Sequence, residues 1–182
     1  MPDEMVIRHC APTLASIKTG SLFSCPREEE REVLSSVCAL NRRLAGKGLR
    51  VLPLRRRDGK RLVYVYRPKR LERDLSDERA KRILGDMGYP EGSVSGCLRR
   101  LCERLRISEE FPHEIGLFLG YPPEDVAGFI GERGAAKCVG CWKVYGDVEQ
   151  ARRLFTQYER CTAIYLKQHA QGKGIERLTV AV

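Results

Sequence analysis

Residues 49–67 read Leu-Arg-Val-Leu-Pro-Leu-Arg-Arg-Arg-Asp-Gly-Lys-Arg-Leu-Val-Tyr-Val-Tyr-Arg. Two short β-rich runs, Leu49 to Arg55 and Arg61 to Arg67, flank Asp58-Gly59. An Asp-Gly pair between such runs is a strong turn signal, because a two-residue hairpin turn needs positive φ and glycine takes it at no steric cost. Pro53 has no amide hydrogen to give a ladder, so the first strand belongs at an edge or a bulge. Pro68 stops the second strand. The stretch predicts an antiparallel hairpin.

Working outward, residues 26–45 read as a helix. Pro26 opens it, Glu28 to Glu30 place acids in its first turn, and Val33, Leu34, Val37, Cys38, Leu40 and Leu44 share one face. Before it, residues 12–24 read as a first helix, with Pro12 at the first helical position and a loose stripe of Leu14, Ile17 and Leu22. After the hairpin, helices are expected over 76–87 and 93–106. The run Phe111 to Pro122 alternates Ile115, Leu117 and Leu119 with glycines and Phe118, which suggests a short buried strand. A short helix from Pro123, a strand over Cys141 to Tyr145, a long helix capped by Asp147 and reaching about Gln171, and a last strand over Arg177 to Val182 complete the chain. The expected fold class is α+β (mixed α/β). It is a single domain over 1–182 with a small central sheet, an early β-hairpin and several flanking helices, and the basic region 42–82 is a candidate subdomain.

The 182 residues are 42% hydrophobic and 31% charged, enough to bury a core without covalent staples and inconsistent with global disorder. No apolar run reaches the ~18 to 20 residues of a membrane helix. Met1 to Val6 carry two acids, with no apolar stretch of the kind a signal peptide uses, so a cytosolic protein is expected. The net charge is +9. Residues 42–82 hold sixteen Lys and Arg against five Asp and Glu, so this segment carries the whole basic excess. Eight cysteines are too few for a disulfide scaffold. In a reducing compartment they are core residues, metal ligands or catalytic thiols.

Several stretches together resemble one bacterial family catalogued as a domain of unknown function. They are His9-Cys10-Ala11-Pro12-Thr13-Leu14-Ala15; Phe111-Pro112-His113-Glu114-Ile115-Gly116 through Gly120-Tyr121-Pro122; Trp142-Lys143-Val144-Tyr145; and Tyr158 to Thr162. The resemblance runs from about residue 7 to 182. It implies an origin mostly among anaerobic Firmicutes and a link to redox or iron handling, and no established reaction.

The residues themselves suggest several sites. His113-Glu114 begins like a zincin helix, but Leu117 stands where the second histidine would be, so the helical zinc chelate cannot form. His113 can still act as a base or ligand, with Glu114 orienting it. Cys10 precedes Pro12. If Pro12 starts a helix, the dipole would favour a thiolate at Cys10, and His113 could complete a dyad. Cys138 and Cys141 form a lone C-x-x-C, able to hold half a metal site or a disulfide. Cys161 and His169 lie about 12 Å apart along a helix and cannot share one ion. His9, Trp142 and His169 are candidate cofactor contacts, His169 as an axial haem ligand on an aromatic helix face. Arg55, Arg56, Arg57, Lys60 and Arg61, beside Tyr64 and Tyr66, form a candidate anion or partner surface.

The leading expectation is a cytosolic thiol- or metal-dependent protein of anaerobic redox metabolism, with iron, zinc or haem as conceivable cofactors. An acidic redox protein such as flavodoxin would dock on the basic hairpin. The alternatives are a nucleic-acid-binding module using residues 42–82 and a non-catalytic interaction protein.

Overall fold

The hairpin forms the edge and centre of a three-stranded antiparallel sheet. The computed structural model describes residues 1–25, 29–55, 58, 61–131 and 134–182. Strand β2 (Arg50–Arg55) pairs with β3 (Arg61–Tyr66), from Arg50 opposite Tyr66 to Arg55 opposite Arg61. Strand β1 (Gly20–Ser24) lies on the other side of β3, so the order is β1-β3-β2. Pro53 is on an edge strand, as expected. The side-chain amide of Asn41 donates to the Val51 carbonyl at 2.8 Å and accepts the Val51 N–H at 2.9 Å, satisfying part of that edge.

The central strand is apolar without a break because both sheet faces are covered. On one face Phe23, Val51, Val63 and Val65 pack against helices α1 (Asp3–Leu14), α2 (Glu30–Leu44) and α9 (Ile175–Leu178). On the other, Leu54, Leu62 and Tyr64 meet helices α3 (Pro68–Leu75), α4 (Glu78–Asp86), α5 (Val94–Ile107) and α6 (Ile115–Phe118). Helix α7 (Pro123–Ile130) follows, then a two-residue hairpin of β4 (Cys138–Val139) and β5 (Lys143–Val144). The 23-residue helix α8 (Val148–Ala170), capped by Asp147 as expected, lies along α1. The class is the expected α+β.

Three expectations are corrected, and Pro68 does more than was expected of it. Pro12 does not open a helix. It sits in the last turn of α1, and residues 20–24 are a strand, because pairing with β3 outweighs a loose helical stripe. Phe111 to Pro122 contains the helical turn α6 rather than a strand. Ile115 to Phe118 are all buried, so burial leaves no period to read. Pro68 ends β3 but also opens α3, which suits proline's fixed φ and missing N–H. The C-terminal run is helix α9 followed by an unpaired extended tail, not a strand. That tail is held by Arg67, which is 2% exposed and donates to the carbonyls of Thr13 (2.8 Å), Leu14 (2.6 Å), Lys47 (3.1 Å) and Val180 (2.9 Å). Thr13 and Leu14 are the C-terminal carbonyls of α1, where a helix favours a cation.

Candidate functional site

The chain leaves α1 through a turn in which Ser16 has φ +60, the left-handed conformation that costs a non-glycine residue about 1 kcal/mol. The amides of Ile17 and Lys18 both donate to the Pro12 carbonyl, at 3.0 and 3.1 Å, and Arg70 donates to the Ser16 carbonyl at 2.8 Å. This tied-down turn delivers Lys18. Its Nζ lies 5.3 Å from the Tyr121 ring centroid and 5.7 Å from that of Tyr158. Among the described residues it makes no hydrogen bond and no ion pair. Burial pulls the Lys18 amine below its ordinary pKa, while the Cys141 and Cys10 thiols act weakly the other way.

Lys18 opens on a cleft of about 470 Å³ lined also by Thr19, Arg70, Arg73, Asp74 and Gln150. The carboxylates of this cleft are already engaged. Asp74 accepts the Thr19 hydroxyl and pairs with Arg73 at 3.0 Å. Asp77 caps α4, and Glu124 pairs with Arg79 at 3.7 Å. Among the charged groups of the cleft, the Lys18 amine and the buried Nε of Arg70 have no hydrogen-bond partner among the described residues. Gly120 has φ +78 and lies so close to Thr19 that a Cβ would meet its Oγ1 at 2.8 Å, so glycine is required there twice over. Tyr121 and Tyr158 stay protonated, burial holding each phenol up to about 12.

Tyr121 is also a wall of a second cavity, of about 270 Å³. Its floor includes Ile115, Leu119 and Trp142, and its rim carries His113, Cys141 and Lys143, all exposed. Asp125, 3% exposed, builds this side of the molecule. It accepts the Trp142 indole N–H and the backbone N–H groups of Tyr145 and Gly146, each at 2.7 Å, and so seats the β4–β5 hairpin on α7. Gly140 lets the hairpin touch α8; a Cβ there would fall 2.2 Å from the Phe155 ring.

The residues singled out in the sequence are dispersed. Cys10 is 0% exposed in the core beside α2, near the C-terminal end of α1 and not at a helix start. Burial pushes its thiol up to about 12, with Lys18 and Ser21 pulling only weakly back. His113 lies at the aromatic cavity, whose lining includes Cys141 and not Cys10. Glu114 is 2% exposed, accepts the Tyr89 hydroxyl at 2.8 Å and pairs with Arg104, so its carboxylate is committed away from His113. His9 stacks on Phe23 at 5.1 Å, on the exposed side of α1. His169, at the end of α8, has its Nδ1 3.0 Å from the Lys173 carbonyl. His9 is on α1, and His169 lies at the far end of α8 from Phe155, the α8 residue that meets Trp142. Cys138 and Cys141 are both free thiols. Among the described residues no group of three or more His, Cys, Asp or Glu converges as a metal site.

In the basic segment, Arg56, Arg57 and Lys60 lie outside the described residues, as does Gly59 of the expected turn. Arg55 pairs with Glu30 at 3.4 Å, and Arg61 also has interactions within the molecule. Arg43 bridges Asp3 and Glu176. Tyr64 is no stacking platform: it is 0% exposed and donates to the Phe118 carbonyl at 2.5 Å, with Tyr66 stacked on it. Much of the segment's charge therefore serves internal contacts.

Sequence reading missed Lys18, Tyr158 and Arg70. Lys18 and Arg70 belong to no motif, Tyr158 stands in a stretch quoted only for the family resemblance, and only the fold brings Ser16-to-Gly20, α3 and α8 to one cleft. The glycine-bracketed Gly120-Tyr121 pair was the available signal, since a glycine that abuts another segment marks a close approach.

The family described as "Protein of unknown function (DUF3793)" matches residues 6–179, and the chain belongs to that family. No curated protein matches the chain, and no solved structure does. No helix among the described residues is long and apolar enough to cross a membrane.

Proposed function

We propose that the protein binds a small anionic molecule, a carboxylate or phosphate compound, in the Lys18 cleft, and that Lys18 is its proton-exchanging group. The observation that carries this reading is a desolvated amine without a partner, beside carboxylates that are all engaged elsewhere. Burying a cation without a counter-ion is costly, so the arrangement favours a ligand that supplies the missing negative charge. The two tyrosine faces hold the ammonium in place without neutralising it. Anion binding favours the ammonium form and will raise the Lys18 pKa, so binding takes up a proton at those pH values where the free amine is partly deprotonated.

Titration calorimetry with inorganic phosphate, in two buffers of different ionisation enthalpy, tests this. Saturable binding with proton uptake is expected, weakened about ten-fold or more in Lys18→Met. Equal binding by the variant, or none by either protein, overturns the proposal.

A thiol role, as expected from the cysteine content, attaches to Cys141 rather than Cys10. Burial pushes both thiols up, Cys10 to about 12, and Lys18 acts weakly the other way on each; what separates them is access, since Cys141 is exposed and Cys10 is enclosed. Iodoacetamide should alkylate Cys141 well before Cys10 in the folded protein. The reverse order, read by peptide mass spectrometry, would remove the basis for this assignment.

A further inference from the structure

The cavity on the other side of Tyr121 has a character of its own. Its floor is apolar and aromatic, with Ile115, Leu119, Val126 and Trp142. Two phenyl rings flank its mouth, and the His113 ring stands edge-on to both, 5.9 Å from Phe111 and 4.7 Å from Phe129. The Lys143 ammonium rests 5.0 Å over Phe129. Among the described residues neither the His113 nor the Lys143 side chain makes a hydrogen bond or an ion pair. Asp125, which also lines the cavity, has both carboxylate oxygens occupied by Trp142 and the hairpin backbone. The space therefore offers flat apolar walls and, at its rim, an ammonium and an imidazole with nothing to bind. We infer that this is a second ligand site, separate from the Lys18 cleft, that takes a single-ring aromatic carboxylate: ring against Trp142 and Leu119, acid group at Lys143 and His113. About 270 Å³ suits one ring with a short acid arm, at the small end of ligand cavities. Aromatic walls favour a planar body, and the Lys143 ammonium on the rim, with the imidazole as a hydrogen-bonding partner, selects the anion over its neutral analogue.

Trp142 is the one tryptophan of the chain and lies in the cavity floor, so its emission reports occupancy directly. Phenylacetate is the probe, with acetate and phenylmethanol as the acid-only and ring-only controls. Phenylacetate should change Trp142 emission saturably, with a Kd on the order of 1 mM or tighter, while both controls bind more weakly. Lys143→Glu, at an exposed position that does not threaten folding, should weaken phenylacetate about five-fold or more. Lys18→Met should leave it unchanged, which separates this site from the phosphate-binding cleft. A linear response to phenylacetate, equal binding of phenylmethanol, or an unaltered Kd in Lys143→Glu overturns the proposal. Loss of binding in Lys18→Met with Lys143→Glu unaffected would assign the acid to the other cleft.

Discussion

The half-buried Lys18 and the buried Arg67 are both cations without a carboxylate, and they differ in what replaces it. Arg67 is answered by four backbone carbonyls, two of them at the negative end of α1. Its planar fork can reach all of them; a lysine could not. Arg67→Met should therefore cost about 3 kcal/mol or more in urea unfolding, because carbonyls from three segments lose their donor at once. Lys18 has only ring faces, and its charge is an unrelieved expense of the fold. Below its lowered pKa the folded chain must hold a disfavoured proton; the unfolded chain holds it freely. Lys18→Met should accordingly raise the melting temperature at pH 7 by about 2–4 °C, the shift expected for ~1 kcal/mol in a chain of this size. A lowered melting temperature would mean that Lys18 is structural. Neither role was legible in the sequence. Arg67 read as one more charge in a basic run, and Lys18 lay in an expected helix. What makes them special is contact with residues more than fifty positions away.

At the scale of elements, the β4–β5 hairpin shows how little local sequence decides. Its ladders are two residues long, too short to stand alone. It is held by Asp125 from α7 and by Phe155 of α8 against Gly140. Asp125→Ala should detach it, shifting Trp142 emission to the red as the indole loses its acceptor and meets water, while the far-ultraviolet helix signal persists. An unshifted spectrum would show that the aromatic stack of Tyr121, Trp142 and Phe155 suffices. The early hairpin, by contrast, was legible from its two β-rich runs and from Pro53, because strand propensity and edge position are local matters; Gly59 of the expected turn lies outside the described residues. Helix α8 was legible from its cap and its long stripe for the same reason. Pro12 misled, because proline favours the first turn of a helix and here sits in the last turn of α1, where it has no N–H to give the i−4 carbonyl; Pro68 ends β3 as expected and opens α3 as well.

For the whole molecule, the buried thiols and phenols set the response to alkali. Cys10, Tyr121 and Tyr158 are each pushed up to about 12, and Cys161 to about 11. Their folded pKa values exceed the unfolded ones, so the stability they contribute is complete below about pH 9 and is lost as pH rises toward 12. Lys18 works in the opposite sense, and as one group it is outnumbered. Urea midpoints should fall from pH 8 to about pH 10.5, with Cys10 alone contributing on the order of 2 kcal/mol of the loss. Cys10→Ser is expected to flatten that fall. The same linkage makes the Lys18 amine itself the group to follow: if it is desolvated and held for an anion, its side-chain titration, read by lysine-selective carbon-13 NMR without and with phosphate, reports both properties. Lys18 should titrate below the other lysines and move up when phosphate is added. A Lys18 that titrates with the surface lysines and ignores phosphate would contradict that role.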